Sequence, residues 1–126
     1  MRPVVYDAGA LIAAERSDRR MWAEHKVRLQ LGCIPVVPSP VVAQVSRSPR
    51  QVQLRRFLRG CEVAPFDEAS AHEVGRILGC ARTTDVVDGA VLALALDRGA
   101  DVVTTDRADI EHLAAATYER IHVIDV

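Results

Sequence analysis

Five aspartates set the chemistry open to this 126-residue chain: Asp7, Asp85, Asp88, Asp106 and Asp109. Asp7 follows the short apolar run Val4-Val5-Tyr6 and precedes Ala8-Gly9-Ala10-Leu11-Ile12-Ala13-Ala14, which places it at a strand-to-helix crossover. In open parallel sheets ligands bind in the crevice beyond the carboxyl ends of strands. The other four acids occupy a repeated word, Thr-Thr-Asp-x-x-Asp, first at Thr83 to Asp88 and again at Thr104 to Asp109. An α/β crossover topology can bring Asp7, Asp88 and Asp106 to one crevice. Left alone, three such carboxylates repel until one keeps its proton; a divalent cation removes the conflict. An all-oxygen, anionic donor set without His or Cys suits Mg²⁺, with Mn²⁺ as a substitute. Water on such an ion becomes a nucleophile, and the ion stabilises charge building on a phosphate, so phosphodiester hydrolysis is one chemistry that fits.

Helix capping competes for the same residues. Asp85 and Asp106 stand at N-cap positions, and Asp88 and Asp109 fall three residues later, where a helix N-terminus favours negative charge. Asp7 can also be an N-cap. Capping does not account for the company Asp88 keeps. The run Gly89 to Leu96, closed by Gly99, is apolar on every side, and a helix of that kind belongs in the interior.

The elements that must position these acids alternate between strand and helix. Strand-like runs are Val4–Tyr6, Ile34–Val37, Glu62–Pro65, Asp101–Thr104 and Ile121–Ile124, with Pro65 making the third an edge or a strand end. Helical patterns cover Ala8–Ala14, Asp18–Leu31, a segment from Val41 to Arg47 capped by Ser39, Gln51–Leu58, a helix capped by Asp67 and ended by Gly79, the Asp88 helix, and Ile110–Ala116. Alternation of this sort predicts one α/β domain over residues 1–126 with a mostly parallel sheet of about five short strands.

Composition narrows the function. No apolar run approaches the ~20 residues that span a bilayer, and the chain enters its first strand without a signal-like pattern, so a cytoplasmic protein is expected. Cys33, Cys61 and Cys80 read as free thiols, and none of the four histidines has metal-ligand spacing. The net charge of −1 rules out whole-molecule basicity as a means of holding nucleic acid and leaves local patches. Arg47, Arg50, Arg55, Arg56 and Arg59 form one such patch, without an acid among them. They, with Arg82 and Arg107, are either nucleic-acid backbone contacts or a solvated surface. A phospho-acceptor receiver domain needs a late lysine, and none follows Lys26. A haloacid-dehalogenase-like phosphatase needs an acid where Gly9 stands, and no Gly-Lys-Ser or Gly-Lys-Thr phosphate loop is present.

Four words in order then carry a family resemblance: Asp7-Ala8-Gly9-Ala10-Leu11-Ile12-Ala13, Pro40-Val41-Val42-Ala43-Gln44-Val45, Asp85-Val86-Val87-Asp88 and Val103-Thr104-Thr105-Asp106. Over essentially its full length the chain resembles the PIN-domain ribonucleases of the VapC type, the toxin half of VapBC toxin–antitoxin pairs. The resemblance implies a three-layer PIN-like domain in which Asp7, Asp88 and Asp106 hold the metal and Thr104 orders the strand end. Asp85, Gln44 and Asp109 would be second-tier ligands of metal or its water, with capping favoured for Asp109. It also implies an RNA substrate, usually tRNA or rRNA, cut to a 3′-hydroxyl and 5′-phosphate, a homodimer, and a VapB-type antitoxin. Two departures stand out. Gln44 replaces the usual Glu, which removes one charge and leaves open a weakly active or inactive binding module. Ala8-Gly9 replaces a small hydroxyl residue.

Overall fold

The computed structural model describes residues 1–126. Five short strands, β1 (Val4–Tyr6), β2 (Val36–Pro38), β3 (Glu62–Ala64), β4 (Asp101–Thr104) and β5 (Val123–Asp125), form one sheet in the order β3-β2-β1-β4-β5. Every pairing is parallel, so the sheet is wholly rather than mostly parallel. Parallel strands are covered on both faces, and β1 and β4 are buried throughout.

The order reverses direction once, between β1 and β4. Chain travel from β1 through β2 to β3 runs one way across the sheet, and the return to β4 and β5 runs the other. Right-handed crossovers then place the connecting helices on opposite faces. α1 (Ala8–Glu15), α2 (Arg19–Gln30) and α4 (Val52–Arg59) pack together, while α5 (Glu68–Ala81), α6 (Val86–Arg98) and α7 (Arg107–Ala116) form a second group. α3 (Ser39–Val45) touches both α1 and α6. The result is three layers with a topological switch point between β1 and β4. That crevice is where doubly wound sheets bind ligands.

A core of mostly aliphatic side chains fills both interfaces, with Tyr6, Phe57, Leu11 and Met21 the largest fully buried members. Within it Tyr6 stacks on Phe57, and its hydroxyl meets His25 Nδ1 at 2.9 Å and Arg28 Nη1 at 3.2 Å. Burial pushes His25 down to about 4, helped by the Arg28 charge, so the ring is neutral at pH 7. α6 crosses the middle of its layer against β1, β2, β4, α3, α5 and α7, with Gly89 to Leu92 and Ala95 buried. Gly99 ends it at φ 60°, the left-handed conformation that glycine adopts at least cost.

Several local expectations change. Pro38, not Ser39, is the N-cap of α3, and no side chain caps that helix; the strand runs on to Pro38, which puts Ser39 and Pro40 inside the first turn. Arg47 lies beyond the end of α3. Gly79 does not end α5, which continues to Ala81 and closes at Arg82 with φ 55°. A glycine in a helix costs only about 1 kcal/mol, less than α5 gains by packing Val74, Ile77 and Leu78. No helix is long and apolar enough to cross a membrane.

Candidate active site

Asp7 leaves the end of β1 and caps α1, with Oδ1 accepting the Ala8 N–H at 2.6 Å. Its other oxygen accepts the Thr104 hydroxyl at 2.7 Å. Thr104 is fully buried at the end of β4, and its Oγ1 in turn accepts the Asp106 N–H at 2.9 Å. One hydroxyl therefore clasps the two strand ends that flank the switch point, and fixes Asp106 as well as Asp7. Asp106 occupies the N-cap position of α7, yet its carboxylate caps nothing. That differs from the capping alternative and leaves an exposed carboxylate beside the crevice.

Asp85 does cap α6, accepting the Asp88 N–H at 3.0 Å. Asp88 is half-buried in the first turn. Asp109 makes no side-chain hydrogen bond but stands in the first turn of α7, where the helix N-terminus favours its charge; Asp106 O accepts the Asp109 N–H at 3.1 Å. A cavity of about 150 Å³ is lined by Thr83, Asp85, Asp88, Asp109, His112 and Leu113. His112 was unremarkable in the sequence; only the turn of α7 brings it alongside the acids.

The titration of these groups reports their crowding. Burial raises Asp7, against the Thr104 and Ala8 hydrogen bonds, and the charges of Asp106 and Asp85 raise it further. Burial also raises Asp88, together with the charges of Asp85 and Asp7, to about 7. Burial first, and the unneutralised carboxylates of Asp85 and Asp7 second, hold this carboxyl partly protonated near neutral pH.

Gln44 is exposed on α3, and its side chain makes no hydrogen bond. Of the arginine candidates, Arg50, Arg55 and Arg82 are exposed with no side-chain partner. Arg47 donates to Ala43 O and Ser46 O, and Arg56 lies 5.4 Å from the Trp22 ring centroid. Arg107 is held by Asp125, Glu111 and Val123 O, which leaves it little freedom to meet a phosphate.

As a fit test, the donor set is chemically right for Mg²⁺ or Mn²⁺: hard oxygens only, in excess negative charge. It is not a ready cage, since no three His, Cys, Asp or Glu side chains stand close enough to hold an ion between them. Mg²⁺ asks for less, usually one or two carboxylates and several waters.

The whole chain superposes on solved structures. VapBC2 from Rickettsia felis bound to a DNA fragment from their promoter is 14% identical with a TM-score of 0.68, covering 98% of each chain. FitAB bound to an IR36 DNA fragment is 17% identical with a TM-score of 0.63, covering 97% of this chain and 94% of that one. PAE2754 from Pyrobaculum aerophilum is 20% identical with a TM-score of 0.66, covering 99% and 91%. These likenesses establish the PIN-like α/β fold that the four sequence words implied. No protein-family model and no curated protein matches the chain significantly.

Proposed function

We propose that the protein is a metal-dependent endoribonuclease, the toxin of a toxin–antitoxin pair. The observation that carries the reading is the electrostatic proximity of the acids near the switch point: beyond burial, Asp7 is raised by the charges of Asp106 and Asp85, and Asp88 by those of Asp85 and Asp7. Asp7, Asp88 and Asp106 would hold Mg²⁺ or Mn²⁺, and such an ion supplies an activated water and stabilises phosphate charge. The chain's own contribution is positional. Thr104 keeps the Asp7 carboxylate turned to the crevice and holds the Asp106 backbone to the same strand end. Asp85 fixes the first turn of α6 and so the direction of Asp88. Arg50, Arg55 and Arg82 are free to meet RNA phosphates. A VapB-type antitoxin as silencing partner is supported by the toxin–antitoxin assemblies among the superposable structures; a homodimer and a tRNA or rRNA target are what the sequence resemblance implies.

The test is cleavage of end-labelled, loop-containing RNA by antitoxin-free protein in Mg²⁺, Mn²⁺ or chelator, beside Asp88→Ala. Metal-dependent cutting that Asp88→Ala abolishes is the expected result. A folded protein that cuts nothing in a broad RNA pool favours the second reading, a binding module without activity. Gln44 and the lack of convergence among the acids are the observations on its side.

A further inference from the structure

Beside the acids runs a groove of about 420 Å³ lined by Gly9, Ile12, Ala13, Arg16, Asp18 and Thr105. Its upper end adjoins the strand ends that carry Asp7 and Asp106: Gly9 is two residues past Asp7, and Thr105 immediately precedes Asp106. Gly9, Ile12, Ala13 and Arg16 recur at the spacing of one helix face, so the groove follows α1 for about 10 Å. From the ribonuclease reading of the acids, we infer that this groove carries the RNA strand next to the bond cut, with Thr105 and Arg16 contacting its phosphates or ribose.

The lining has the chemistry for a single strand. At the top the exposed Thr105 hydroxyl has no hydrogen-bond partner in the protein. At the foot Arg16 is exposed, makes no ion pair and donates no side-chain hydrogen bond. The one acid present, Asp18, is occupied with capping α2, accepting the Met21 N–H at 2.8 Å. Between them Ile12 is 39% exposed and offers an apolar surface to a base or sugar, while Ala13 keeps the floor low. The size falls in the ~300–1,000 Å³ range of ligand clefts.

Gly9 is what keeps the upper end in this form. A Cβ built there would lie 2.3 Å from Thr105 Oγ1 and 2.8 Å from Thr105 Cγ2. Any side chain at position 9 therefore evicts Thr105 from its seat. With glycine, the Thr105 hydroxyl occupies the space that a side chain on α1 would fill, one residue from Asp106.

Binding of a short fluorescein-labelled single-stranded RNA of mixed sequence, measured by anisotropy across a KCl series in Mg²⁺, tests the path. The Asp88→Asn background prevents cutting during the measurement. Arg16→Ala should weaken binding roughly 3- to 10-fold at low salt and flatten the slope of log K against log salt by about 0.7, the loss of one phosphate contact. Arg120→Ala, which removes the same charge from an exposed site outside this groove, should do neither. In the native background Thr105→Val should slow RNA cleavage severalfold, with Thr105→Ser restoring it and thermal unfolding unchanged in both. If Arg16→Ala matches Arg120→Ala while the native protein still cuts RNA, the groove inference falls and the nuclease reading stands. If Arg16→Ala weakens only capture of a protein partner, the groove is a protein-docking surface and the inference is overturned. A native protein that neither binds nor cuts RNA removes both.

Discussion

Asp88 offers the sharpest prediction, because its charge should cost the metal-free fold stability. An acid that titrates at its usual 3.8 in the unfolded chain and at about 7 in the fold holds, between those values, a proton the unfolded chain releases. Stability therefore falls as pH rises from about 4 to about 7 and stays low above that. Counted in full, the displacement is worth about 4 kcal/mol. Asp88 is only half-buried and shares its proton with neighbouring acids, so solvent screening brings the expectation to about 1–3 kcal/mol. Buried His25 pulls the opposite way: its lowered pKa makes stability fall as pH drops from 6.5 towards about 4. A single pH curve would mix the two, so the informative quantity is a difference between variants. Asp88→Asn mimics the protonated acid and keeps the backbone bond to Asp85. In chelator at about pH 8, Asp88→Asn should exceed the native protein by that 1–3 kcal/mol in urea unfolding, or about 3–5 °C per kcal/mol in thermal unfolding for a chain of this size. Near pH 4 the advantage should vanish. Saturating Mg²⁺ or Mn²⁺ should raise the native protein more than the variant, since binding to the folded state alone contributes about 2.7 kcal/mol at a hundredfold excess over Kd. A variant no more stable than the native protein at pH 8, or equally advantaged near pH 4, would refute the argument that crowded charge at the switch point opposes the metal-free fold.

Other substitutions address the remaining parts of the site. Thr104→Val leaves the buried Asp7 oxygen and the Asp106 N–H without partners and should cost about 1–3 kcal/mol, with Thr104→Ser recovering most of it; urea unfolding reads both, and an unaffected Thr104→Val would mean the clasp is idle. Gly9→Ala should lower stability by about 1–3 kcal/mol through overpacking against Thr105, and adding Thr105→Ala should return most of the loss, so strict additivity in the double-mutant cycle would contradict the observed contact. Gln44→Glu adds a charge to the proposed ligand set and should tighten Mg²⁺ binding roughly 3- to 10-fold by calorimetry, in line with the dependence of affinity on ligand charge; unchanged affinity and rate would show that Gln44 does not weaken the site. Replacing Arg55 should lower the salt dependence of RNA binding by about 0.7 in slope, whereas Arg107→Ala, which removes the exposed pairs with Asp125 and Glu111, should change stability little and leave that slope alone.

The sequence exposes what is local and periodic, and this site is only partly either. The strand-to-helix step at Asp7, the apolar helix behind Asp88 and the second Thr-Thr-Asp word are all visible as patterns, because strands, caps and buried helices each leave a local signature. From them the order of elements, the parallel sheet and three of the acids can be read directly. What cannot be read is how each acid spends its hydrogen-bonding capacity. Asp85 and Asp106 stand in the same word at the same helical position, yet Asp85 caps and Asp106 does not. The difference is made at long range: Thr104 takes the Asp106 N–H while giving its proton to Asp7, ninety-seven residues away in sequence. Thr83, at the matching place in the first word, has no such partner and only accepts the Asp85 N–H at 3.4 Å. The groove residues escape the sequence for the same reason. Thr105 looks like a spacer and Gly9 like a missing hydroxyl until the two are seen to fill one volume, with the threonine seated where glycine has no side chain. The substitution at position 9 and the residue at position 105 are thus one feature of the crevice, divided between two ends of the chain that meet only where β1 lies beside β4.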